Sequence, residues 1–389
     1  MKRTPPHLGT LVALTALTVL TLNMFLPALP EMQKAFGVSE AVMGLAISGY
    51  MGAAAVLQLI IGPVSDRLGR RPVALSMLAL YVVASVICLL AQDVHVFLGA
   101  RIVQAVAVGG GVLASAVVRD MFDGRVAAAK LATIASAMAI APMLAPMLGG
   151  VLTSVMGWRA VFVVYAVIGT GLLALMWHDL GETQVKTPGQ PPERISGLLT
   201  TPLFWAYAFC QALGVGAFYV FLTGSPFVAV ALFGLTAAQV GLGLGSITGG
   251  FMLGSAVSAR LVSRTGPMAL ILTGRLLPLA ILSIGWLYFS LGGDQVLVLF
   301  AATLSVGFGN GLTLANANAG ALSVRPRLAG TAAGVAGALA LAIGAALTAV
   351  ATALLSLAAT PERLLSMMIC VVFLSLIAAL AARRLDKDV

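Results

Sequence analysis

Apolar residues in this chain come in long blocks, separated by short clusters of Lys, Arg, Asp, Glu, Pro and Gly. A helix that crosses a bilayer needs roughly 20 mostly apolar residues, and twelve blocks of about that length can be marked off. Their approximate spans are 8–30, 41–63, 73–91, 95–118, 131–153, 160–177, 203–226, 237–259, 268–290, 295–320, 329–357 and 364–382. The division is least sharp around 222–240 and 318–335, where apolar sequence runs on and only Gly, Ser and Pro punctuate it. The pattern predicts an all-α integral membrane protein with twelve transmembrane helices. An even number of spans puts both termini on one side.

Composition narrows the class. Hydrophobic residues make up 60% of the chain and charged residues only 9%, against about 25% charged in soluble domains, so a water-soluble enzyme is excluded. The 43 glycines suit helices whose backbones approach closely in lipid. A net charge of +9 has two readings, nucleic acid or sorting of cations to one membrane face, and the distribution separates them. Alternating the gaps between spans puts seventeen of the 22 Lys and Arg on the side of the termini and three, Lys34, Arg159 and Arg363, on the other. Arg101 and Arg275 fall inside spans. This bias predicts cytoplasmic termini and leaves no nucleic-acid footprint. Met1-Lys-Arg3 before Leu8–Leu22 imitates a secretory signal, but the apolar run continues through Phe25 without a small-x-small cleavage pattern and reads as the first span. Cys88, Cys210 and Cys370 lie in three different spans, and the three His are scattered. Neither a disulfide framework nor a metal or other cofactor is expected.

The longest polar interval, 179–201, contains Lys186, Pro188, Pro191, Pro192, Glu193 and Arg194. It reads as a cytoplasmic linker between a six-helix unit at 1–178 and a second at 202–389. Weak internal echoes agree. Phe25-Leu-Pro-Ala-Leu-Pro30 ends span 1 as Phe221-Leu-Thr-Gly-Ser-Pro226 ends span 7, and Asp66-Arg67-Leu68 follows span 2 as Ala259-Arg260-Leu261 follows span 8. Parallel repeats of this kind belong to one large class of secondary transporters, whose substrate site lies between the halves near the midplane.

The most specific local signal is Gly62-Pro-Val-Ser-Asp66-Arg67-Leu-Gly69-Arg70-Arg71-Pro72, a tight basic turn between spans 2 and 3. Three further stretches accompany it: Arg101-Ile-Val-Gln104 in span 4, Ala141-Pro142-Met-Leu-Ala145-Pro146-Met-Leu-Gly149-Gly150 in span 5, and Leu180-Gly-Glu182-Thr183 after span 6. Together with Phe25-Leu-Pro-Ala-Leu-Pro30 and Arg119-Asp120, this set resembles the major facilitator superfamily, and within it the bicyclomycin and chloramphenicol resistance (Bcr/CflA) drug exporters. The resemblance runs the length of the chain, with its specific motifs in the first half. Ala105 stands where the buried-arginine motif usually has glycine.

The resemblance implies a major facilitator fold of two pseudo-symmetric six-helix bundles that work by alternating access in a bacterial inner membrane. It implies a monomer bathed in lipid, exporting small drugs against protons. Gly62, Asp66, Arg67, Gly69, Arg70 and Arg119 would form the conformational switch, with Asp66 engaging Arg119 and the start of span 11 near Gly330 and Thr331 in the outward-open state. Pro142, Pro146, Gly149 and Gly150 would form the exporter motif of span 5. A charge inside a span is a functional candidate by default, so Arg101 and Gln104 are expected to face the cavity, whereas Arg275 is expected to snorkel to the cytoplasmic surface. Asn23, Tyr50, Gln211, Phe218, Tyr219 and Asn316 complete the candidate substrate contacts, together with Phe25, Tyr207, Asn310 and Asn318.

One departure bears on energy. The subfamily usually carries an acid where this chain has Asn23, and none of the 13 acids falls at the midplane. Proton coupling is therefore expected either to shift to Glu31 or to be absent, which would make the protein a facilitator. A cavity with Arg101 and no buried acid disfavours lipophilic cations and suits neutral or weakly acidic amphiphiles, amphenicol-like drugs among them. Carriage of a small metabolite such as a sugar, nucleoside or amino acid derivative on the same fold is the alternative. No Ser/His/Asp set and no P-loop points to an enzyme or an ATP-driven pump.

Overall fold

The computed structural model of the protein describes residues 6–122, 126–127, 130–131, 133–134, 141–183, 196–325 and 328–386. Its membrane helices are α1 (Leu8–Phe36), α2 (Glu40–Leu68), α3 (Arg70–Leu90), α4 (Val94–Met121), α5 (Ala141–Met156), α6 (Arg159–Asp179), α7 (Pro202–Phe233), α8 (Ala237–Thr265), α9 (Pro267–Ser290), α10 (Val296–Ser323), α11 (Ala329–Leu355) and α12 (Pro361–Leu385). Eleven are long and apolar enough to cross a membrane, and α5 is the described part of the expected span 131–153. Of the linker expected at 179–201, residues 184–195 lie outside the described residues, so the boundary it sets between domains remains a proposal.

Local chemistry fixes the helix ends. In α1, Pro27 and Pro30 withhold backbone donors, and the helix passes through a 3-10 turn at Leu26–Ala28 before resuming. Asp93 caps α4 by accepting from the N–H groups of His95 and Val96 at 2.8 and 3.1 Å. The uncertain stretch at 222–240 resolves cleanly. The seventh helix runs on to Phe233 and stops at Gly234, whose φ of 62° suits a left-handed cap. Thr236 and Gln239 then form a reciprocal capping box that starts α8.

Large apolar side chains such as Leu253, Ile284 and Leu297 are exposed around the outside, as a lipid-facing surface requires. Where helices meet, small residues let them approach. Within the first half α3 packs on α6 and α1 on α4; within the second, α8 on α10, α9 on α10, and α7 on α10 to α12. Among the described residues, α2 with α11 and α5 with α8 make most of the contact between the halves, with smaller contacts of α1 with α7 and α8 and of α2 with α7.

Candidate substrate site and gates

Arg101 sits two turns into α4 and is fully buried. Its Nε donates to the Ala46 carbonyl at 3.4 Å, Nη1 to Gln104 Oε1 at 2.7 Å, and Nη1 and Nη2 both reach the Thr21 carbonyl at 3.4 Å. The guanidinium carbon stands 4.0 Å from the Phe25 ring centroid and 4.8 Å from that of Tyr50. Gln104 extends the network by donating to Ser85 Oγ at 2.8 Å. Tyr81 bonds Thr21 Oγ1 at 2.9 Å, and the Tyr165 hydroxyl donates to the Leu20 carbonyl at 3.0 Å. One cation thus ties α1, α2, α3 and α4 together, with α6 anchored beside it. No carboxylate pairs with it among the described residues; carbonyl oxygens and the negative faces of two rings meet its charge. Arg101 and Gln104 were expected at the cavity wall, but in this state both point into the packed interior of the first half.

Tyr50 stands between this cluster and the second half. Its hydroxyl is buried without a partner, as is Asn23 Oδ1, while Asn23 Nδ2 donates to the Val19 carbonyl at 2.8 Å. Across from Tyr50, Tyr219 of α7 rests against Gly344 of α11, beside Met51 of α2, and has the Phe218 ring 5.7 Å away. Phe25 and Tyr50 thus flank Arg101 in the first half, and Phe218 and Tyr219 pair on α7 in the second, with Gln211 two turns before Phe218. Asn316 does not join them. Its Nδ2 binds Ser258 Oγ at 2.9 Å and the Leu312 carbonyl at 2.7 Å, which glues α8 to α10. Tyr207 donates to Asp386 at 3.3 Å at the end bearing the termini, and Asn318 is exposed.

Arg275 overturns the expectation of snorkelling. It is fully buried in α9, and its Nη2 donates to Asn310 Oδ1 at 2.9 Å. The signal was in the sequence, as an arginine well inside a span. It was discounted because a long flexible stem can reach an interface, but here the stem turns inward between α7 and α10.

The two ends of the molecule differ. At the end bearing the termini, a cavity of about 790 Å³ opens between Gln58, Gly62 and Asp66 of α2, Ser115 and Arg119 of α4, and Thr331 and Gly334 of α11. At the opposite end the halves touch. A Cβ at Gly150 would lie 2.5 Å from the Ala237 carbonyl oxygen, and one at Gly241 would lie 2.6 Å from that of Pro146. Ser154 Oγ accepts from the Ala238 N–H at 3.1 Å, and Gly44 of α2 leaves room for Thr352 of α11. Gly149 faces the other way, against the backbone of Met24 in α1. The side chain of Pro142 lies outside the described residues.

The basic turn is ordered by three acids. Arg70, largely buried, pairs with Asp66 and with Asp120 at 2.9 Å. Glu182 accepts from the backbone N–H groups of Arg70 and Arg71 at 2.9 and 3.3 Å, a carboxylate on the positive end of α3. Gly69, with φ of 102°, admits that carboxylate where a Cβ would collide with it. Arg67 is exposed. Arg119 Nε donates to the Ser115 carbonyl at 3.2 Å, and Asp66, Arg119 and Thr331 line the same cavity. The stretch Leu180-Gly-Glu182-Thr183 marks Glu182 in the sequence, but its capping of α3 depends on α6 ending beside that helix.

Twelve helices, eleven of them long and apolar enough to cross a membrane, pack closed at one end with a cavity at the other, an arrangement that suits a membrane transporter. The family model described as Major Facilitator Superfamily matches residues 11–349, and the chain belongs to that family. It is 35% identical over 223 residues to a chloramphenicol resistance protein of Pseudomonas aeruginosa, a match covering 54% of this chain and 51% of that one. The chain thus spans about half the length of that relative. It is 29% identical over 331 residues to the multidrug resistance protein MdtL of Escherichia coli, covering 83% of each. A bacterial homologue of the human lysosomal transporter Spinster, in an inward-facing and occupied conformation, superposes with a TM-score of 0.80 over 99% of this chain and 98% of that one at 16% identity. The human organic anion transporter MFSD10 (TETRAN) does so at 0.69 and 20% identity, over 96% and 98%. At those identities the likeness is one of fold.

Proposed function

We propose that the protein is a secondary multidrug exporter of a bacterial inner membrane that works by alternating access on neutral or weakly acidic amphiphiles, amphenicols among them. One observation carries this reading: an aromatic junction between the halves lies between a sealed end and an open one. The cation bias puts the open end in the cytoplasm, so the state described takes up substrate from inside. Phe25, Tyr50, Phe218 and Tyr219 supply apolar walls, and the unpaired oxygens of Asn23 and Tyr50 await hydrogen-bond donors on the ligand. The drug-resistance relatives favour export over the carriage of metabolites.

The resemblance implies proton antiport, and Glu31 was the acid expected to serve it. Glu31 is exposed at the sealed end, where it accepts from the Trp158 N–H at 3.3 Å at the start of α6. Coupling calls for an acid withdrawn from water between the halves, and Glu31 instead caps a helix. The test is saturable chloramphenicol flux in proteoliposomes of the full chain, with and without an imposed pH gradient, for the native protein and Glu31→Gln. Saturable flux in the native protein is expected. E31Q should retain at least half of it and lose about 1 kcal/mol of stability or less. Absence of saturable flux overturns the exporter reading, and loss of pH-gradient-driven flux in E31Q restores Glu31 as the coupling group.

A further inference from the structure

The two buried arginines are held in opposite ways. Every nitrogen of the Arg101 guanidinium has an acceptor, and two rings cover its faces. Arg275 has one hydrogen bond, from Nη2 to Asn310; its Nε and Nη1 meet no acceptor, although the side chain is fully buried. No described carboxylate pairs with it. Asn310 in turn donates to the Gly214 carbonyl at 3.0 Å. Gly214 makes the room: a Cβ there would lie 2.6 Å from Nη1 and 2.8 Å from Nη2 and Asn310 Oδ1. On α7, Gly214 has Gln211 at i−3 and Phe218 at i+4, neighbours on one face. The guanidinium therefore rests against the face of α7 that carries the second half's candidate ligand contacts.

Leaving a buried cation with unmet donors costs several kcal/mol, and ionisable groups inside spans mark substrate paths. We infer that Arg275 receives an anionic substituent of the substrate, a carboxylate, sulfonate or ionised phenol on an amphiphilic ring, when α7 shifts during the cycle. This rests on the exporter reading and adds to its neutral substrates a class of organic anions. It also supplies a drive. With no described carboxylate buried between the halves to titrate, each anion carried outward moves one negative charge down the inside-negative potential. That is worth about 2.3 kcal/mol per 100 mV, or about 50-fold in accumulation.

The experiment uses proteoliposomes of the full chain, 1-naphthalenesulfonate as a permanent monoanion and chloramphenicol as an uncharged probe. A potassium gradient with valinomycin sets the potential at equal pH. In the native protein, about 100 mV should raise sulfonate accumulation at least about tenfold, below the 50-fold limit, and leave chloramphenicol unmoved. Arg275→Gln should lower the ratio of sulfonate to chloramphenicol kcat/KM at least about tenfold, and Arg275→Lys should recover most of that ratio. Gly214→Ala, which crowds the guanidinium without removing it, should lower the same ratio. An unchanged ratio in R275Q makes Arg275 a packing clasp and overturns the inference, as does native sulfonate flux indifferent to potential. Saturable chloramphenicol flux with no sulfonate flux overturns this inference alone, whereas no saturable flux of either probe overturns the exporter reading itself.

Discussion

Arg101→Ala abolishes transport, with at least a hundredfold loss of flux, while the protein still inserts as a full-length chain. The substitution removes the donors that hold the Thr21 and Ala46 carbonyls and Gln104 Oε1, and it leaves the faces of Phe25 and Tyr50 without their cation. Each orphaned polar group in a dry interior costs about 1–3 kcal/mol, and each desolvated cation–π contact contributes about 2 kcal/mol. Insertion survives because the hydropathy of each span decides it; what is lost is the common anchor of the helices that must move as one body. Arg101→Lys keeps the charge but gathers its three N–H donors on one nitrogen, which cannot span acceptors spread over Nε, Nη1 and Nη2. It should retain a few per cent of the flux and a thermal midpoint between those of the native protein and R101A. Flux in proteoliposomes and detergent melting curves check both variants. Native rates in R101A would remove Arg101 from the working machinery.

That expectation began as a sequence reading and changed its reason on the way. Hydropathy blocks located the spans because the bilayer imposes one length on all of them. They placed boundaries less well at 203–226, where α7 runs on through Gly224 and Pro226 to Phe233 and stops at the left-handed Gly234. Motif spacing found Arg101, Gln104 and Phe25, and Tyr50 entered only as a candidate aromatic wall. Spacing cannot say on which side of a helix wall a guanidinium ends, and the cavity-facing cation became an interior anchor. The partners Thr21, Ser85, Tyr81 and Tyr165 were illegible, since Ser, Thr and Tyr in a span carry no mark of what they will meet. Asn316 and Asn310 looked alike in sequence, yet one glues α8 to α10 and the other holds Arg275, a difference set by how α9 packs. Glu31 was nominated because the midplane lacked an acid. The structure puts it on the Trp158 N–H at the start of α6, because residue 31 lies past the midplane of a span that runs to Phe36.

Gly150→Val opens the sealed end. The carbonyls of Ala237 and Pro146 lie where side chains at positions 150 and 241 would go, so α5 and α8 meet backbone to backbone, with no flexible group to yield. Overpacking at such a contact costs about 1–3 kcal/mol. The cost falls almost wholly on the state in which the two helices touch, because separating them relieves it. At 1.4 kcal/mol per factor of ten, the population shifts about 5- to 150-fold toward the state open at this end. A transporter held there cannot return for substrate, so flux should fall at least about tenfold while stability changes little. Gly241→Val, which crowds the same contact from α8, should act alike. Gly149→Val is the control, since Gly149 faces α1 within its own half. Overpacking there strains both states equally, so it should lower the melting temperature without shifting accessibility. A single cysteine placed on α7 near Tyr219, in a background with Cys88, Cys210 and Cys370 replaced, reports the shift through labelling by an impermeant maleimide from the side opposite the termini. Labelling should rise in G150V and G241V and stay native in G149V. If all three label at the native rate, the α5–α8 contact does not govern the gate, and the seal at this end must lie with α2 and α11 at Gly44 and Thr352.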